Sequence, residues 1–156
     1  MILGFTGHRP NKLGGYGASA IQEHVRGAVR QHILGIRPEC TISGMALGFD
    51  QWAAEECIAL KVPFVAAVPC EQQDSPWPNE SQQQYRTLLF RAHKVLVLNS
   101  GRYAPWKMQK RNEWIVDNSD GLLACWDGSN GGTANCVQYA QRFNKPIWRI
   151  NPQEFS

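Results

Sequence analysis

Five consecutive apolar residues, Phe64-Val65-Ala66-Ala67-Val68, constrain this chain more than any other segment. A strand with one wet face alternates apolar and polar side chains, so a run apolar on both faces must be covered on both sides. Similar short runs are predicted as strands over 2–6, 40–43, 95–98, 122–126 and 146–150. The segments between them carry helical periodicity. Over about 19–34, Ile21, Val25, Ala28, Val29 and Ile33 share one face; Ser19 is placed to cap the helix, and Gly35 and Pro38 to stop it. Phe49, Trp52, Ala53, Cys57 and Leu60 form a second stripe, and Tyr85, Leu88, Leu89 and Ala92 a third within a helix over about 80–92. Further helices are predicted near 107–118 and 133–143, and loops over 10–17, which includes Gly17, 69–79 and 99–106. This alternation specifies a doubly wound α/β fold, a mostly parallel sheet of about six strands with helices on both faces. The common strand order 3-2-1-4-5-6 is expected, with ligands at the carboxyl ends of strands around the switch point.

Three glycine-bearing turns stand at such ends: Thr6-Gly7-His8-Arg9, the segment from Ser43-Gly44 to Gly48-Phe49-Asp50, and Asp127-Gly128-Ser129-Asn130-Gly131-Gly132-Thr133. Glycine lets backbone N–H groups approach a ligand, and a following helix N-terminus favours negative charge. Three such turns on neighbouring strands would make one crevice for a nucleotide or a sugar phosphate.

With 156 residues, 43% hydrophobic and 19% charged, the chain is expected to be one soluble globular domain. Its net charge of +3 does not by itself argue for nucleic acid, although Arg102, Lys107, Lys110 and Arg111 could make a local basic groove. The five cysteines lack Cys-x-x-Cys spacing and read as reduced, mostly buried thiols, with no metal site and no cofactor expected. Met1 to Phe5 hold no basic leader, and no run approaches the roughly 18 apolar residues of a membrane span. A cytoplasmic protein without membrane partners is expected; a homodimer paired through helices is compatible with such a sheet.

Within the turns, Arg9 offers a planar fork of donors for phosphate or carboxylate, and His8 can contact ligand or act as acid or base. Ser43 and the backbone at Gly44 can donate to an anion. Asp50 either caps its helix or accepts from ribose hydroxyls. Gly131, Gly132 and Thr133 form a phosphate cradle at a helix start, without the lysine of a Walker loop and without a dinucleotide fingerprint. Arg111 is either a phosphate contact or an exposed helix arginine. Trp77 and Trp106, both placed in loops, could stack on a base. Glu55 and Glu56 read as solvated helix charges.

Taken together, Gly4-Phe5-Thr6-Gly7-His8-Arg9-Pro10, the Ser43-to-Asp50 segment, Pro76-Trp77-Pro78, Met108-Gln109-Lys110-Arg111-Asn112 and Gly131-Gly132-Thr133 resemble the SLOG superfamily, in particular its YpsA-like branch. The resemblance spans nearly the whole chain and implies a Rossmann-like fold and a nucleotide-derived ligand. It is also similar to the Lonely guy phosphoribohydrolases through Met108, Arg111 and Gly131-Gly132-Thr133. Asn112 stands where those enzymes carry lysine, and Asn135 and Cys136 occupy the stretch of their acidic residue. The Ser43-to-Asp50 segment is similar to DNA-processing protein A, with Leu47 where that family has arginine. The expected function is binding or sensing of a nucleotide, ADP-ribose-like molecule or sugar phosphate. The enzyme alternative is an N-glycosidic hydrolase or transferase drawing its carboxylate from Asp50, Glu71 or Asp127. Single-stranded nucleic-acid binding is less favoured, because the modest charge gives little support for tracking a strand.

Overall fold

The structure, a computed structural model, describes residues 1–15 and 19–154. Gly17, expected in the first loop, lies outside the described residues. Six strands, β1 (Ile2–Gly7), β2 (Cys40–Ser43), β3 (Phe64–Val68), β4 (Lys94–Val97), β5 (Gly121–Cys125) and β6 (Ile147–Ile150), form one parallel sheet. Five helices connect them: α1 (Ala20–Ile36), α2 (Phe49–Ala59), α3 (Asn79–Arg91), α4 (Pro105–Asp117) and α5 (Gly132–Arg142). Side chains of α1, α2 and α3 pack with Leu3, Phe5, Phe64, Ala66 and Val68 on one face. Those of α4 and α5 pack with Ile42, Ala67, Leu122 and Ala124 on the other. The doubly wound architecture is as the alternation of elements requires. None of the described helices is long and apolar enough to cross a membrane.

The strand order is β4-β3-β2-β1-β5-β6, which corrects the expected 3-2-1-4-5-6. β4 pairs with β3 at the far edge instead of lying beside β1. Its exposed Val95 (41%) and Val97 (53%) show the consequence: an edge strand is covered incompletely, and four residues leave little to bury. The chain therefore winds outward through β1, β2, β3 and β4, then returns to β5 on the opposite side of β1. The switch falls between β1 and β5, and the carboxyl ends of β2, β1 and β5 lie side by side.

Local chemistry sets both ends of α1 and the start of α4. Ser19 caps α1, its hydroxyl accepting from Gln22 N–H at 3.1 Å. α1 continues through Gly35 and ends only at Arg37, whose left-handed backbone (φ 55°) donates to Ile33 O. Pro38, which disfavours the helical conformation in its predecessor, supplies the stop that Gly35 was expected to share. Proline also starts α4: Pro105 occupies the first helical position, so Trp106 belongs to the helix and not to the preceding loop. Residues 10–12 form a single 3₁₀ turn inside the first predicted loop.

Phe5 and Phe49 meet edge to face, with ring centroids 6.0 Å apart, beneath the first two glycine turns. Both are essentially inaccessible, so each contributes about 1.5–3 kcal/mol of burial free energy to the floor of the site. Glu56 differs from expectation. It is buried at 4% exposure because α1 lies across α2, bringing Arg30 Nη2 to 2.5 Å and Arg26 Nη2 to 3.5 Å; Glu55 also pairs with Arg26, at 3.2 Å.

Candidate functional site

The first and third glycine turns, the beginning of α2 and one face of α4 line a half-open cavity of about 200 Å³ at the switch point. It is lined by Thr6, Gly7, His8, Arg9, Asn11, Lys12, Ala46, Asp50, Met108, Arg111, Asn112, Gly131, Gly132 and Thr133. Eight of the ten expected site residues are therefore brought together. Ser43 and Gly44 are not. Ser43 is fully buried, its hydroxyl donating to Asp50 O at 2.8 Å and accepting from Met45 N–H at 3.2 Å. Gly44 lies behind Arg111, and its carbonyl accepts from Nη1 at 2.7 Å. The second turn thus serves the cavity through Ala46 and Asp50, while Ser43 and Gly44 hold the residues that line it.

Arg111 is buried at 4% exposure, which removes the exposed-arginine alternative. Besides Gly44 O, it donates from Nε to Asn112 Oδ1 at 2.9 Å. No carboxylate of the described residues lies within ion-pair distance of it. Burial pulls its pKa below the ordinary arginine value, opposed mainly by the more distant charge of Asp50. A buried guanidinium without an ionic partner is costly, so the cavity it faces favours an anion.

Asp50 is its electrostatic complement. At 6% exposure the carboxyl does not cap α2; Oδ2 accepts from Ala46 N–H at 3.3 Å, holding the turn, and Oδ1 has no hydrogen-bond partner among the described residues. Burial raises its pKa, and Arg111, the Ala46 hydrogen bond and Arg9 pull it back down.

The third turn ends in Gly131, whose φ of 142° is a conformation that residues with a side chain avoid. Among the described residues no side chain caps α5, and apart from the local backbone none lies within 4 Å of where a Cβ would stand at Gly131 or Gly132. The first N–H groups of α5 are thereby presented to the cavity with the positive end of the helix dipole. Lys12, which was not among the expected residues, reaches across to this turn, donating to Ser129 Oγ at 2.6 Å. Its signal was the three-residue spacing from Arg9, which a 3₁₀ turn places on one side.

His8 is buried at 5% exposure with Nε2 2.9 Å from Asp127 Oδ1 and 3.0 Å from Asp127 N. Asp127 Oδ1 also accepts from Ser129 N–H at 2.8 Å and Ser129 Oγ at 2.5 Å. These Ser129 bonds, helped by His8, hold the Asp127 carboxyl well below the usual carboxylate range. Burial lowers the His8 pKa, against the opposing pull of Asp127. Of the three expected carboxylates, Asp50 lines the cavity, Asp127 sits behind His8, and exposed Glu71 accepts from Gly101 N–H away from it.

A second, more apolar cavity of about 470 Å³ adjoins the first through shared Arg9, Asn11 and Met108. Pro10, Leu47, Gln73, Pro76, Trp77 and Tyr103 complete its walls together with Gly15. Trp77 packs edge to face on Tyr85 with centroids 5.1 Å apart, which steadies that wall. Trp106, 59% exposed, lines neither cavity. Of the residues that could make a local basic groove, Arg111 and Lys107 are buried; Lys107 donates to Ser100 O and Arg102 O, each at 2.6 Å, stapling the loop that carries Tyr103.

Known proteins share both sequence and architecture with this chain. It is 32% identical over 130 residues to the uncharacterized SPbeta prophage-derived protein YoqJ of Bacillus subtilis (strain 168), covering 71% of this chain and 75% of that one. The fold matches DNA processing protein A from Helicobacter pylori, described by its single-stranded DNA binding mode, with TM-score 0.68 and 19% identity, over 100% of this chain and 67% of the other. It also matches the molybdenum cofactor binding protein of Rippkaea orientalis, with TM-score 0.61 and 17% identity, over 95% and 74% of the two chains. The sequence profile of the YpsA family, described as the YspA SLOG family, matches residues 3–155. The chain belongs to the SLOG superfamily, in its YpsA-like branch.

Proposed function

We propose that the paired cavities bind a nucleotide or an ADP-ribose-like sugar phosphate, in a sensing or sequestering role in the cytoplasm. The observation that carries this reading is Arg111, a buried guanidinium without a carboxylate partner among the described residues, facing the same cavity as the uncapped start of α5. Phosphate would lie against the Gly131, Gly132 and Thr133 backbone, with Arg9, Lys12 and Arg111 around it. Asp50, with one unpartnered carboxyl oxygen, suits a ribose hydroxyl. The polar cavity alone is smaller than the usual small-molecule site of about 300–1,000 Å³. A ligand that also fills the apolar cavity, with a planar base against Trp77 and Tyr103, matches the division into two compartments.

The two structural neighbours are described as binding very different ligands, single-stranded DNA and molybdenum cofactor. Here the cationic residues converge on one half-open pocket that also holds Asp50, whose negative charge suits a small anion with hydroxyls better than a long phosphate backbone. A thermal-shift panel of nucleotides and ADP-ribose, with Arg9→Ala and Thr133→Val as controls, tests the reading. Stabilisation that weakens in both variants supports it; no stabilisation by any compound, or full stabilisation in both variants, rejects it.

A further inference from the structure

We infer that His8 is the proton-donating contact of this site: Asp127 fixes Nε2, Nδ1 donates to an anion in the cavity, and anion binding therefore takes up a proton. The inference rests on the reading of the cavity as an anion site and adds how that site responds to protons.

The geometry assigns the two ring nitrogens different surroundings. Nε2 lies within hydrogen-bond distance of both the carboxylate and the backbone N–H of Asp127. The carboxylate is anchored independently by Ser129 N–H and Oγ, so it stays in place and ionised whichever proton the imidazole carries. Nδ1 has no hydrogen-bond partner among the described residues, and His8 lines the cavity.

Neutral imidazole has one proton for two demands. With the proton on Nε2 it donates to Asp127 Oδ1 and leaves Nδ1 a bare lone pair, which repels an incoming anion. With the proton on Nδ1 it can greet the anion, and the Nε2 lone pair accepts from the Asp127 N–H at 3.0 Å but also faces the Asp127 carboxylate at 2.9 Å. Imidazolium donates to the Asp127 carboxylate and to the ligand through charge-assisted bonds, which outweigh the single Asp127 N–H contact to Nε2 that it gives up. Burial works against that charge. A ligand anion replaces the lost solvation and shifts the balance toward the protonated ring.

The other charges around His8 are accounted for. Lys12, from the 3₁₀ turn, disfavours imidazolium, and it is tied to Ser129 Oγ and set near Asn130 O. Arg9 follows His8 directly, and Asp50 and Arg111 line the same cavity with opposite charges. The His8 N–H donates to Cys125 O, which keeps the residue on the end of β1.

Sulfate is the probe of choice, because its double negative charge does not change through the histidine titration range. Imidazole and backbone resonances of the full chain are followed by NMR against pH, with and without sulfate. The expected result is that the Gly131, Gly132 and Thr133 amides shift and the His8 midpoint rises by about one pH unit. Sulfate affinity should correspondingly fall about tenfold from the acid to the alkaline side of the histidine range. His8→Gln should remove that pH dependence, and Asp127→Asn should lessen the rise in the midpoint. Amides that respond while the His8 midpoint stays still, or a sulfate affinity flat with pH, overturn the role of His8 and leave the anion site standing. Sulfate that moves neither the amides nor the imidazole overturns both.

Discussion

Arg111 Nη1 donates to the carbonyl oxygen of Gly44 at 2.7 Å, joining α4 to the end of β2 across 67 positions of sequence. The guanidinium occupies the space that a side chain at Gly44 would need. Gly44 is thus a positioning residue that makes no contact with the cavity. Gly44→Ala should displace the guanidinium and lower nucleotide affinity at least about tenfold, with a stability cost of about 1–3 kcal/mol from overpacking. Calorimetric titration beside urea unfolding would separate the two effects; unchanged affinity would show that Arg111 does not need this seat.

Asp50 carries a buried carboxyl oxygen without a hydrogen-bond partner among the described residues. Its folded pKa is raised, so the folded state holds this proton more tightly than the unfolded chain does, and the stability it contributes is lost as pH rises through the folded pKa. Asp50→Asn should therefore stabilise the protein at neutral pH, by on the order of 1 kcal/mol, while weakening nucleotide binding. Unfolding curves of both proteins near neutrality, with and without adenosine 5′-monophosphate, would show whether stability and binding move in opposite directions.

Tyr103 is 62% exposed on the wall of the apolar cavity, so its ring contributes little to the folded core. Tyr103→Ala should leave stability within about 0.5 kcal/mol of the parent. Nucleotide affinity should nevertheless drop roughly three- to tenfold through loss of ring contact, while sulfate affinity stays the same. Equal losses for sulfate and nucleotide would contradict the division of the site into a polar and an apolar half.

Acid should destabilise the protein in two stages. Burial lowers the pKa of His8 and His32, so the unfolded chain takes up these protons first. Their contribution is present above the ordinary histidine pKa of about 6.5 and is lost as pH falls through the folded values. Asp127, held well below the carboxylate range, contributes above about pH 3.9 and loses that contribution in stronger acid. Stability measured by denaturant across this range should show both declines, and Asp127→Asn should remove part of the second.

Gly7 illustrates how a correct position can carry an incomplete reason. Its place after an apolar run suggested close backbone approach to a ligand, and it does line the cavity. A Cβ there would, however, run into the fully buried ring of Phe49. Gly7→Ala should thus cost about 1–3 kcal/mol even without ligand, readable in urea unfolding.

The alternation of apolar runs with 3.6-residue periodicity was enough to place the strands, the helices and the doubly wound class, because these follow from local burial patterns and caps such as Ser19. Glycines after strands likewise marked where a cavity would open. Pairing was beyond local reach: β4 and β5 are both short and apolar, and only competition for neighbours puts β5 beside β1 and leaves Val95 and Val97 at an edge. The same holds for charge. Glu56 read as a solvated charge, Lys107 as part of a basic groove and Arg111 as either a phosphate contact or an exposed arginine, yet all three are buried. The partnership of His8 with Asp127 spans 119 positions, and Lys12 meets Ser129 across 117. Local periodicity records which face of a segment is apolar; which segment covers it, and which charges are trapped between them, is decided only when the chain closes on itself.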